Sequence, residues 1–328
     1  MTAHAAATDD LALADFAPES DIFLSEVLEG LSRPSPYKAL PTAYLYDERG
    51  SQLFDEICEL EEYYPTRTEL ALMEDKIAEM AKALGPRVLL IEYGSGSSIK
   101  TQILLEHLIE PAGYVPVDIS REHLLASAAK INDRHPALEV LPVCADFTQP
   151  FEVPTPAKAP DRRVVYFPGS TVGNFLPDKA IKLLRQMAEE VGPGGGLLIG
   201  VDLRKDKVKL EAAYDDAKGV TAEFNKNLLR RINRELDGNF DLDAFEHEAV
   251  YDESNGRIEM RLVSLRDQKV TIGDRTFSFA TGERVHTEFS HKYTVGGFTE
   301  LARQAGFDRR HVWIDAEDLF SVHYYGRV

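Results

Sequence analysis

The feature that most constrains the fold is a regular alternation of buried strands and amphipathic helices that starts near position 85. The apolar run RVLLIEY precedes the helical pattern KTQILLEHL, YVPVDIS precedes REHLLASAAKINDRH, and RRVVYFPGS precedes DKAIKLLRQMAEEV. LEVLPVCADF and GLLIGVDL complete the set of strands. Strands that are apolar throughout and alternate with helices of this length predict a doubly wound, mainly parallel α/β sheet.

The pattern changes after position 203. A long amphipathic helix, VTAEFNKNLLRRINREL, is followed by the alternating segments HEAVYDE, RIEMRLVSL, KVTIGDRTFSF and RVHTEFSHKY, which predict an antiparallel sheet. We therefore predict a doubly wound domain from residues 73–203 and 295–328, and an α+β domain from residues 21–72 and 204–294. Residues 1–20 are expected to form a disordered tail.

Composition excludes several classes of function. The 328 residues include 37 basic and 55 acidic side chains, a net charge of −18, which argues against nucleic acid as a partner. The acidic N-terminus does not have the pattern of a secretory signal, and the apolar runs are too short to span a bilayer. Cys58 and Cys144 are predicted to be free thiols, and the spacing of His286 and His291 predicts no metal site. We expect a cytoplasmic monomer.

A glycine turn follows the first strand of the alternation, in IEYGSGSSIK. Ligands of open α/β sheets bind at the carboxyl ends of the strands, where Gly94 and Gly96 allow close approach to the backbone. Asp118 lies 22 residues beyond Gly96, near the offset at which an acid meets a ribose. Asp146 follows the third strand and is placed to accept a hydrogen bond from an adenine amino group. The alternative is that both acids cap the helices after them.

The glycine turn favours S-adenosylmethionine over a dinucleotide. A dinucleotide fingerprint has a third glycine, which is absent from Ser97-Ser98-Ile99, and this disfavours a nicotinamide-dependent oxidoreductase. Glu92, just before the turn, suits a cationic ligand, and S-adenosylmethionine carries an ammonium and a sulfonium. After the fourth strand, the turn FPGSTVGNF occupies the position where class I methyltransferases bring the acceptor to the methyl group. A plain strand-to-helix turn is the alternative for Gly173 alone.

The chain resembles the S-adenosylmethionine-dependent histidine Nα-methyltransferases of ergothioneine biosynthesis. The resemblance runs from about Tyr46 to the C-terminus and rests on YDERGSQLFDEI, EEYYPTRTE, IEYGSGSSIKT, VPVDIS, GSTVGN, IEMRL and TEFSHKY. It implies trimethylation of the α-amino group of L-histidine to hercynine. It also implies a class I (Rossmann-like) methyltransferase domain with a second, substrate-binding domain.

The resemblance also implies site residues. Tyr46 lies near the substrate amine as the catalytic tyrosine, and the predicted substrate contacts are Phe54, Tyr63, Gly169, Asn174, Tyr214, Met260, Glu288 and Ser290. Within that set, Asn174 and Tyr214 hold the carboxylate, and Glu288 and Ser290 hold the imidazole. The predicted cofactor contacts are Gly94, Gly96, Lys100, Asp118, Asp146, Phe147 and Thr171.

Local patterns add to these assignments. Glu288 and Ser290 are two residues apart on a predicted strand and therefore share one face, although an exposed acid is the plainer interpretation of Glu288. Core packing is the default for Met260 and packing against a helix is an alternative for Tyr214. The pair Tyr63-Tyr64 precedes Pro65, which predicts an extended chain with one tyrosine inward and the other outward.

The reaction implied is an in-line attack of a neutral amine on a methyl group, without a covalent enzyme intermediate. Two rivals stay open at this point. One is a methyltransferase of the same fold that acts on another amino acid such as tryptophan, and the other is a non-catalytic sensor that binds S-adenosylmethionine.

Overall fold

A computed structural model describes residues 13–16, 20–96 and 99–328. Most of the predicted tail, at positions 1–12 and 17–19, lies outside the described residues, and so does the pair Ser97-Ser98 of the glycine turn. No helix in the described ranges is long and apolar enough to cross a bilayer. Cys58 and Cys144 are free thiols, as predicted.

The described residues form thirteen strands and nine α-helices. The strands are β1 Ala14–Phe16, β2 Val88–Tyr93, β3 Gly113–Asp118, β4 Val143–Ala145, β5 Arg162–Phe167, β6 Gly196–Asp202, β7 Phe245–Asp252, β8 Arg257–Ser264, β9 Gln268–Ile272, β10 Arg275–Phe279, β11 Arg284–His291, β12 Phe307–Ile314 and β13 Phe320–Arg327. The helices are α1 Ser20–Ser32, α2 Glu48–Cys58, α3 Tyr64–Leu84, α4 Ile99–His107, α5 Arg121–Arg134, α6 Pro177–Val191, α7 Lys207–Tyr214, α8 Val220–Glu235 and α9 Val295–Gln304.

The central sheet has the order β1-β4-β3-β2-β5-β6-β13-β12 within the described residues. The pairs from β1 to β6 are parallel, and β13 runs antiparallel to both β6 and β12. The strand order reverses between β2 and β5, and in doubly wound sheets this switch point is where ligands bind. The predicted doubly wound α/β fold of the class I methyltransferase type is confirmed.

The N-terminus and the start of α3 differ from prediction. Residues 14–16 pair in parallel with β4, so the expected disorder is wrong for these three residues. Tyr64 begins α3 instead of continuing an extended chain, because Pro65 fits the first helical turn, where its missing N–H is not needed. Both Tyr63 and Tyr64 are buried, with 8% and 1% of their surface exposed, so the prediction of one outward tyrosine is also wrong.

Helix α6 shows how the sequence fixes an element on the sheet. Pro177 occupies its first turn, and Gly192 ends it with a left-handed φ of 65°. Its buried side chains recur at helical spacing, at Ala180, Leu183, Leu184, Met187, Ala188 and Val191. They pack in the same apolar cluster as strands β2, β5 and β6.

The second region contains two antiparallel sheets where the sequence predicts one. Strands β11, β8 and β7 form one sheet, and β10 and β9 form a separate hairpin. The sequence analysis also did not predict helix α7. The buried apolar side chains of this region form a single core that joins residues 23–64 to residues 210–285. The N-terminal helices and the late antiparallel strands therefore fold together, in agreement with a second domain.

Candidate active site

The turn after β2 leaves room for a ligand at the switch point. Gly94 has a left-handed φ of 74°, and a Cβ added there would lie 3.7 Å from the Phe147 ring. The backbone N–H groups of Gly94 and Ser95 donate to the Val117 carbonyl at 2.9 and 3.2 Å, which ties the turn to β3. The hydroxyl of Ser95 is buried and has no hydrogen-bond partner among the described residues. The turn therefore offers exposed backbone and one unsatisfied polar group.

Aromatic rings surround this turn. The Phe147 ring centroid lies 5.4 Å from that of Tyr93, 5.7 Å from that of Phe167 and 6.5 Å from that of Phe175. At Gly96 an added Cβ would meet, among the described residues, only the Gly94 carbonyl oxygen, at 3.9 Å. An apolar wall beside open backbone suits the flat adenine ring of S-adenosylmethionine.

Asp118 and Asp146 lie at neighbouring strand ends, as predicted. Oδ1 of Asp118 accepts from the Ser120 backbone N–H at 2.9 Å. Oδ1 of Asp146 accepts from the backbone N–H and the hydroxyl of Thr148, at 2.9 and 2.7 Å. Each acid thus holds its own loop, but neither caps a helix. The N-cap of α5 is Ser120, and the chain after Asp146 reaches β5 without a helix, so the capping alternative is wrong. A carboxylate has about four acceptor sites, so this local bond is compatible with a ligand contact.

Glu92 does not have the predicted position. Its carboxylate is buried in the sheet, where it accepts from the Thr101 hydroxyl at 2.7 Å and from the Tyr114 hydroxyl. Burial raises the pKa of Glu92 to about 7, against the lowering effect of those two hydrogen bonds. Because both oxygens are bonded inside the protein, the interpretation of Glu92 as a direct partner of a cation is wrong.

Lys100 is joined to the turn after β5 through an acid that the sequence analysis did not single out. Its ammonium lies 2.6 Å from Oε2 of Glu69, which is 1% exposed and also accepts from the Gly169 N–H at 2.9 Å. Glu69 is on the buried face of α3 with Leu72 and Met73. The signal available in the sequence was a single acid at a position where the helical period predicts a buried apolar residue. An acid is rarely buried unless it has a partner.

The turn after β5 has a constrained backbone. Gly169 and Ser170 both have left-handed φ angles, 76° and 59°, which is costly for a serine. The Ser170 hydroxyl oxygen accepts from the Asp202 backbone N–H at 2.8 Å, and the Thr171 hydroxyl donates to the Pro168 carbonyl at 3.1 Å. These bonds tie a 3-10 turn, Thr171–Asn174, to the end of β6.

Gly173 lets this turn lie against β11. A Cβ added at Gly173 would be 2.7 Å from the His291 carbonyl oxygen, too close for any other residue without a backbone shift. Nδ1 of His291 lies 2.8 Å from the Gly173 carbonyl and holds the same contact. The plain-turn interpretation of Gly173 is therefore insufficient. The approach brings the Asn174 amide to 3.5 Å from Oε2 of Glu288.

One face of β11 carries the predicted imidazole pair. Glu288 is in register with Met260 on β8, and Ser290 is in register with Ile258. Both Glu288 and Ser290 are buried, which rules out the exposed-acid interpretation. Burial raises the pKa of Glu288 to about 7, and the charge of Lys292 opposes that rise.

A row of aromatic rings connects the N-terminal segment to α7. Ring centroids are 5.6 Å apart for Tyr46 and Phe54, 6.1 Å for Phe54 and Tyr63, and 6.0 Å for Tyr63 and Tyr214. Phe224 of α8 extends this wall, 5.4 Å from Tyr46, and the sequence analysis treated it only as part of a helical stripe. Burial and the charge of Glu288 hold the pKa of Tyr46 well above its usual range.

A cavity of about 380 Å³ lies between the N-terminal helices and the loop after β3. Its lining includes Tyr46 from the aromatic wall and Ile119 and Ser120 from the loop that follows Asp118. Of the predicted site residues, Tyr46 alone lines this cavity.

A sequence model of the histidine-specific, S-adenosylmethionine-dependent methyltransferases matches residues 23–327. The chain belongs to this family. The histidine N-alpha-methyltransferase of Mycolicibacterium smegmatis is 41% identical over 87% of this chain and 89% of its own, and that of Mycobacterium tuberculosis is 40% identical over 90% and 92%. Ergothioneine biosynthesis protein 1 of Neurospora crassa is 32% identical over 89% of this chain and 34% of its own. The resemblance stated from sequence is confirmed.

Membership in this family makes the chain an S-adenosylmethionine-dependent methyltransferase, and the strand-end residues fit that cofactor. Within the described ranges the buried Ser95 hydroxyl has no hydrogen-bond partner, and a Cβ added at Gly94 would lie 3.7 Å from the Phe147 ring. Asp118 and Asp146 stand at the adjacent strand ends, where the ribose and adenine of a bound nucleoside reach in this fold.

The family site also contains a buried charge cluster that the sequence analysis missed. The Lys292 ammonium lies 2.7 Å from Oδ2 of Asp202, and Lys205 pairs with the same carboxylate. The Tyr64 hydroxyl contacts both Asp202 oxygens, at 3.0 and 2.9 Å. Lys292 directly follows β11, two residues after Ser290, and the period of two along an extended chain predicts that it shares the face of Glu288 and Ser290. That placement was the one signal available in the sequence.

Proposed function

We propose that this protein transfers three methyl groups from S-adenosylmethionine to the α-amino group of L-histidine. The product is hercynine, and the reaction is the first step of ergothioneine biosynthesis. The observation that carries the proposal is the pair Glu288 and Ser290, buried on one strand face beside Met260. A buried acceptor next to a hydroxyl is suited to a ring with two nitrogens, one of which carries a proton.

The remaining substrate roles follow from where the side chains meet. Asn174 and Tyr214 bind the α-carboxylate, because each contacts one member of the imidazole pair: Asn174 contacts Glu288, and Tyr214 contacts Ser290 at 2.8 Å. The amine then extends toward Tyr46 and the turn at Gly169. Thr171 and Lys100 line the cofactor side of the same turn.

The chemistry requires positioning more than proton transfer. When bound, S-adenosylmethionine supplies an electrophilic methyl group, and the protein holds the neutral amine in line with it. The pKa of Tyr46 lies far above neutrality, so its phenol keeps its proton and orients the amine as a hydroxyl group. A Tyr46→Phe variant tests this role, and equal rates for all three transfers in variant and wild type would contradict it.

The aromatic wall suits the later transfers. Each transfer enlarges the amine, and the last one leaves a fixed positive charge. Tyr46, Phe54 and Tyr63 present ring faces and edges on this side of the site. Aromatic faces attract quaternary ammonium groups, so the wall stabilises the product cation without a carboxylate that would bind the substrate ammonium instead.

We also propose the domain division and the setting. Residues 73–203 with 295–328 form the cofactor domain, and residues 21–72 with 204–294 form the substrate domain, supported by the shared core of the latter. The protein acts as a cytoplasmic monomer on a small molecule, without nucleic acid or membrane partners.

The test is mass spectrometry of the purified protein incubated with S-adenosylmethionine and each common amino acid in turn. A gain of three methyl groups by histidine alone is the expected result. Methylation of tryptophan or another amino acid would keep the fold and cofactor and overturn the roles of Glu288 and Ser290. S-adenosylmethionine binding without any methylation would favour a sensor.

A further inference from the structure

In the charge cluster behind the substrate site, two ammonium groups share one carboxylate, and Glu288 is a further acid that the charge of Lys292 acts on. Lys205 and Lys292 both form ion pairs with Asp202, and the side chains of the three are 7%, 1% and 1% exposed. The charge of Asp315 also raises the pKa of Lys205, from a greater distance. The Asp315 carboxylate already accepts hydrogen bonds from backbone N–H groups of its own loop. Because a buried charge without a partner is costly, a site with two ammonium groups and one shared carboxylate favours the arrival of an anion.

Lys292 directs its charge at the two hydroxyls of the substrate site. An ammonium group has three N–H donors. Those of Lys292 reach Asp202 at 2.7 Å, the Tyr214 hydroxyl at 2.9 Å and the Ser290 hydroxyl at 2.8 Å. Each hydroxyl oxygen therefore accepts from Lys292, and its own proton must go to another acceptor. The two hydroxyls are 2.8 Å apart, so one proton joins them and the other is available to a ligand.

We propose that Lys292 is a positioning residue that supplies the positive charge for recognition of the substrate α-carboxylate, and that it acts through the hydroxyl of Tyr214. The substrate carboxylate brings the second negative charge to a cluster in which two ammonium groups share Asp202. A hydroxyl that accepts from an ammonium is also a stronger donor, because hydrogen bonds in a chain polarise one another. The inference rests on the proposed function, which places the carboxylate at Tyr214.

The inference defines the substrate class more narrowly than the imidazole pair does. Glu288 and Ser290 recognise a side chain, which histamine and L-histidinol share with L-histidine. Lys292 and Tyr214 select for the carboxylate, which those two compounds lack. The enzyme should therefore discriminate against imidazole amines, and the discrimination should depend on the charge at position 292.

The test compares the binding of L-histidine and L-histidinol to the full chain by calorimetry, with S-adenosylhomocysteine present. In Lys292→Met, the dissociation constant for histidine should rise about 10- to 100-fold, the usual effect of losing a hydrogen bond to a charged group. The constant for histidinol should change by less than about 3-fold. The preference for histidine over histidinol thus collapses.

Lys205→Met is the matched control. It removes the other lysine that pairs with Asp202, but Lys205 contacts the Tyr64 hydroxyl at 2.7 Å and not Tyr214. This variant should keep the ratio of the two dissociation constants. A merely structural role for Lys292 would weaken both ligands equally, and that result, or an unchanged ratio, would overturn the inference.

Two further variants separate charge from packing. Lys292→Gln keeps a hydrogen-bond donor and loses the charge, so it should lose the preference like the methionine variant, and its melting temperature shows whether it folds. Lys292→Arg keeps the charge and should retain more of the preference than either. Failure of the proposed function has a different signature, since the wild-type protein would then neither bind nor methylate histidine. If the wild type methylates histidine and Lys292→Gln keeps the wild-type ratio, only this inference fails.

Discussion

The cofactor side and the substrate side of the active site are built in different ways. On the cofactor side, Gly94, Asp118 and Asp146 stand at the carboxyl ends of three parallel strands. Asp118 and Asp146 each bond to a residue two positions on, and Asp118 also accepts a hydrogen bond from the Gly96 backbone N–H in the neighbouring turn. On the substrate side, Tyr214 and Ser290 meet across 76 residues and Asn174 and Glu288 across 114.

This difference separates two requirements of the enzyme. A cofactor common to many methyltransferases needs a backbone shape that a short stretch of chain specifies by itself. A particular acceptor needs charges and rings at fixed positions, and these come from segments that only the second domain and its contact with the sheet bring together. Changes in the second domain should therefore alter the choice of acceptor and spare cofactor binding.

The largest expected effect comes from Glu288→Ala combined with Met260→Val. The loss of a buried acceptor for an imidazole N–H should lower kcat/KM for histidine about 100-fold. The dissociation constant for S-adenosylhomocysteine should stay within about 2-fold of wild type, because Glu288 contacts Asn174 and is in register with Met260, on the substrate side of the site. Steady-state kinetics and calorimetry measure the two quantities. Glu246→Ala, an exposed acid on β7, is the control and should change neither. Unchanged use of histidine would remove Glu288 from the site.

The next effect tests the contact between the turn after β5 and β11. In Gly173→Ala, the added Cβ would lie 2.7 Å from the His291 carbonyl oxygen, so the backbone must move, at a cost of about 1–3 kcal/mol. The shift displaces Asn174, and KM for histidine should rise about 10-fold while the melting temperature falls. Gly296→Ala is the matched control, because a Cβ there meets no described atom within 4 Å. Equal behaviour of the two variants would show that the contact does not position Asn174.

A third, smaller effect concerns pH. The pKa of Glu288 is raised to about 7 by burial, so its carboxylate gains a proton as the pH falls through neutrality and stops accepting from an imidazole N–H. Histidine itself also titrates in this range, and its titration affects both proteins equally. The histidine dissociation constant of the wild type is therefore divided by that of Glu288→Gln at each pH. Between about pH 8 and about pH 6, wild-type binding should weaken by up to about 10-fold relative to the variant.

The same pKa has a consequence for stability. Because the folded pKa of Glu288 lies above its ordinary value of 4.5, the unfolded chain releases the proton more readily. This group therefore disfavours the folded state increasingly as pH rises from about 4.5 to about 7. The melting temperature of the ligand-free wild type should fall more over this range than that of Glu288→Gln. A parallel decline in both proteins would argue against the raised pKa.

Sequence reasoning succeeded where the signal lies within one stretch of chain. The strand, the glycine turn and the helix around Gly94 are contiguous in sequence. Glu288 and Ser290 are two positions apart on one strand and share its face. The physical reason is that a period of two or of 3.6 residues fixes which side chains share a face, without knowledge of the partner. Met260 was singled out only through the family resemblance, and its role beside the imidazole stays a prediction.

Sequence reasoning failed where the partner is distant or the burial is unexpected. Glu69, Asp202 and Lys292 look like ordinary charged residues, and their importance comes from pairing across the fold. The error for Glu92 is the opposite one. Its position just before the glycine turn predicted a contact with a cationic ligand. Its partner Tyr114 lies 22 residues away on the neighbouring strand and takes up the carboxylate. A sequence pattern gives the position of a charge, and only the fold gives what neutralises it.

The smallest expected effect is on the cofactor side, where Gly94→Ala forces a side chain into the left-handed region. At a φ of 74° the strain costs about 1 kcal/mol, and the added Cβ stands beside Phe147 in the space where the cofactor reaches the backbone. Affinity for S-adenosylhomocysteine should fall about 5-fold. Gly192→Ala is the control, since its φ is 65° and a Cβ there has no neighbour within 4 Å in the described ranges. The melting temperature should fall by a similar amount in both variants, and only Gly94→Ala should bind S-adenosylhomocysteine more weakly. If Gly192→Ala weakened the ligand as much, the effect would come from general strain, and the close approach at Gly94 would have no part in cofactor binding.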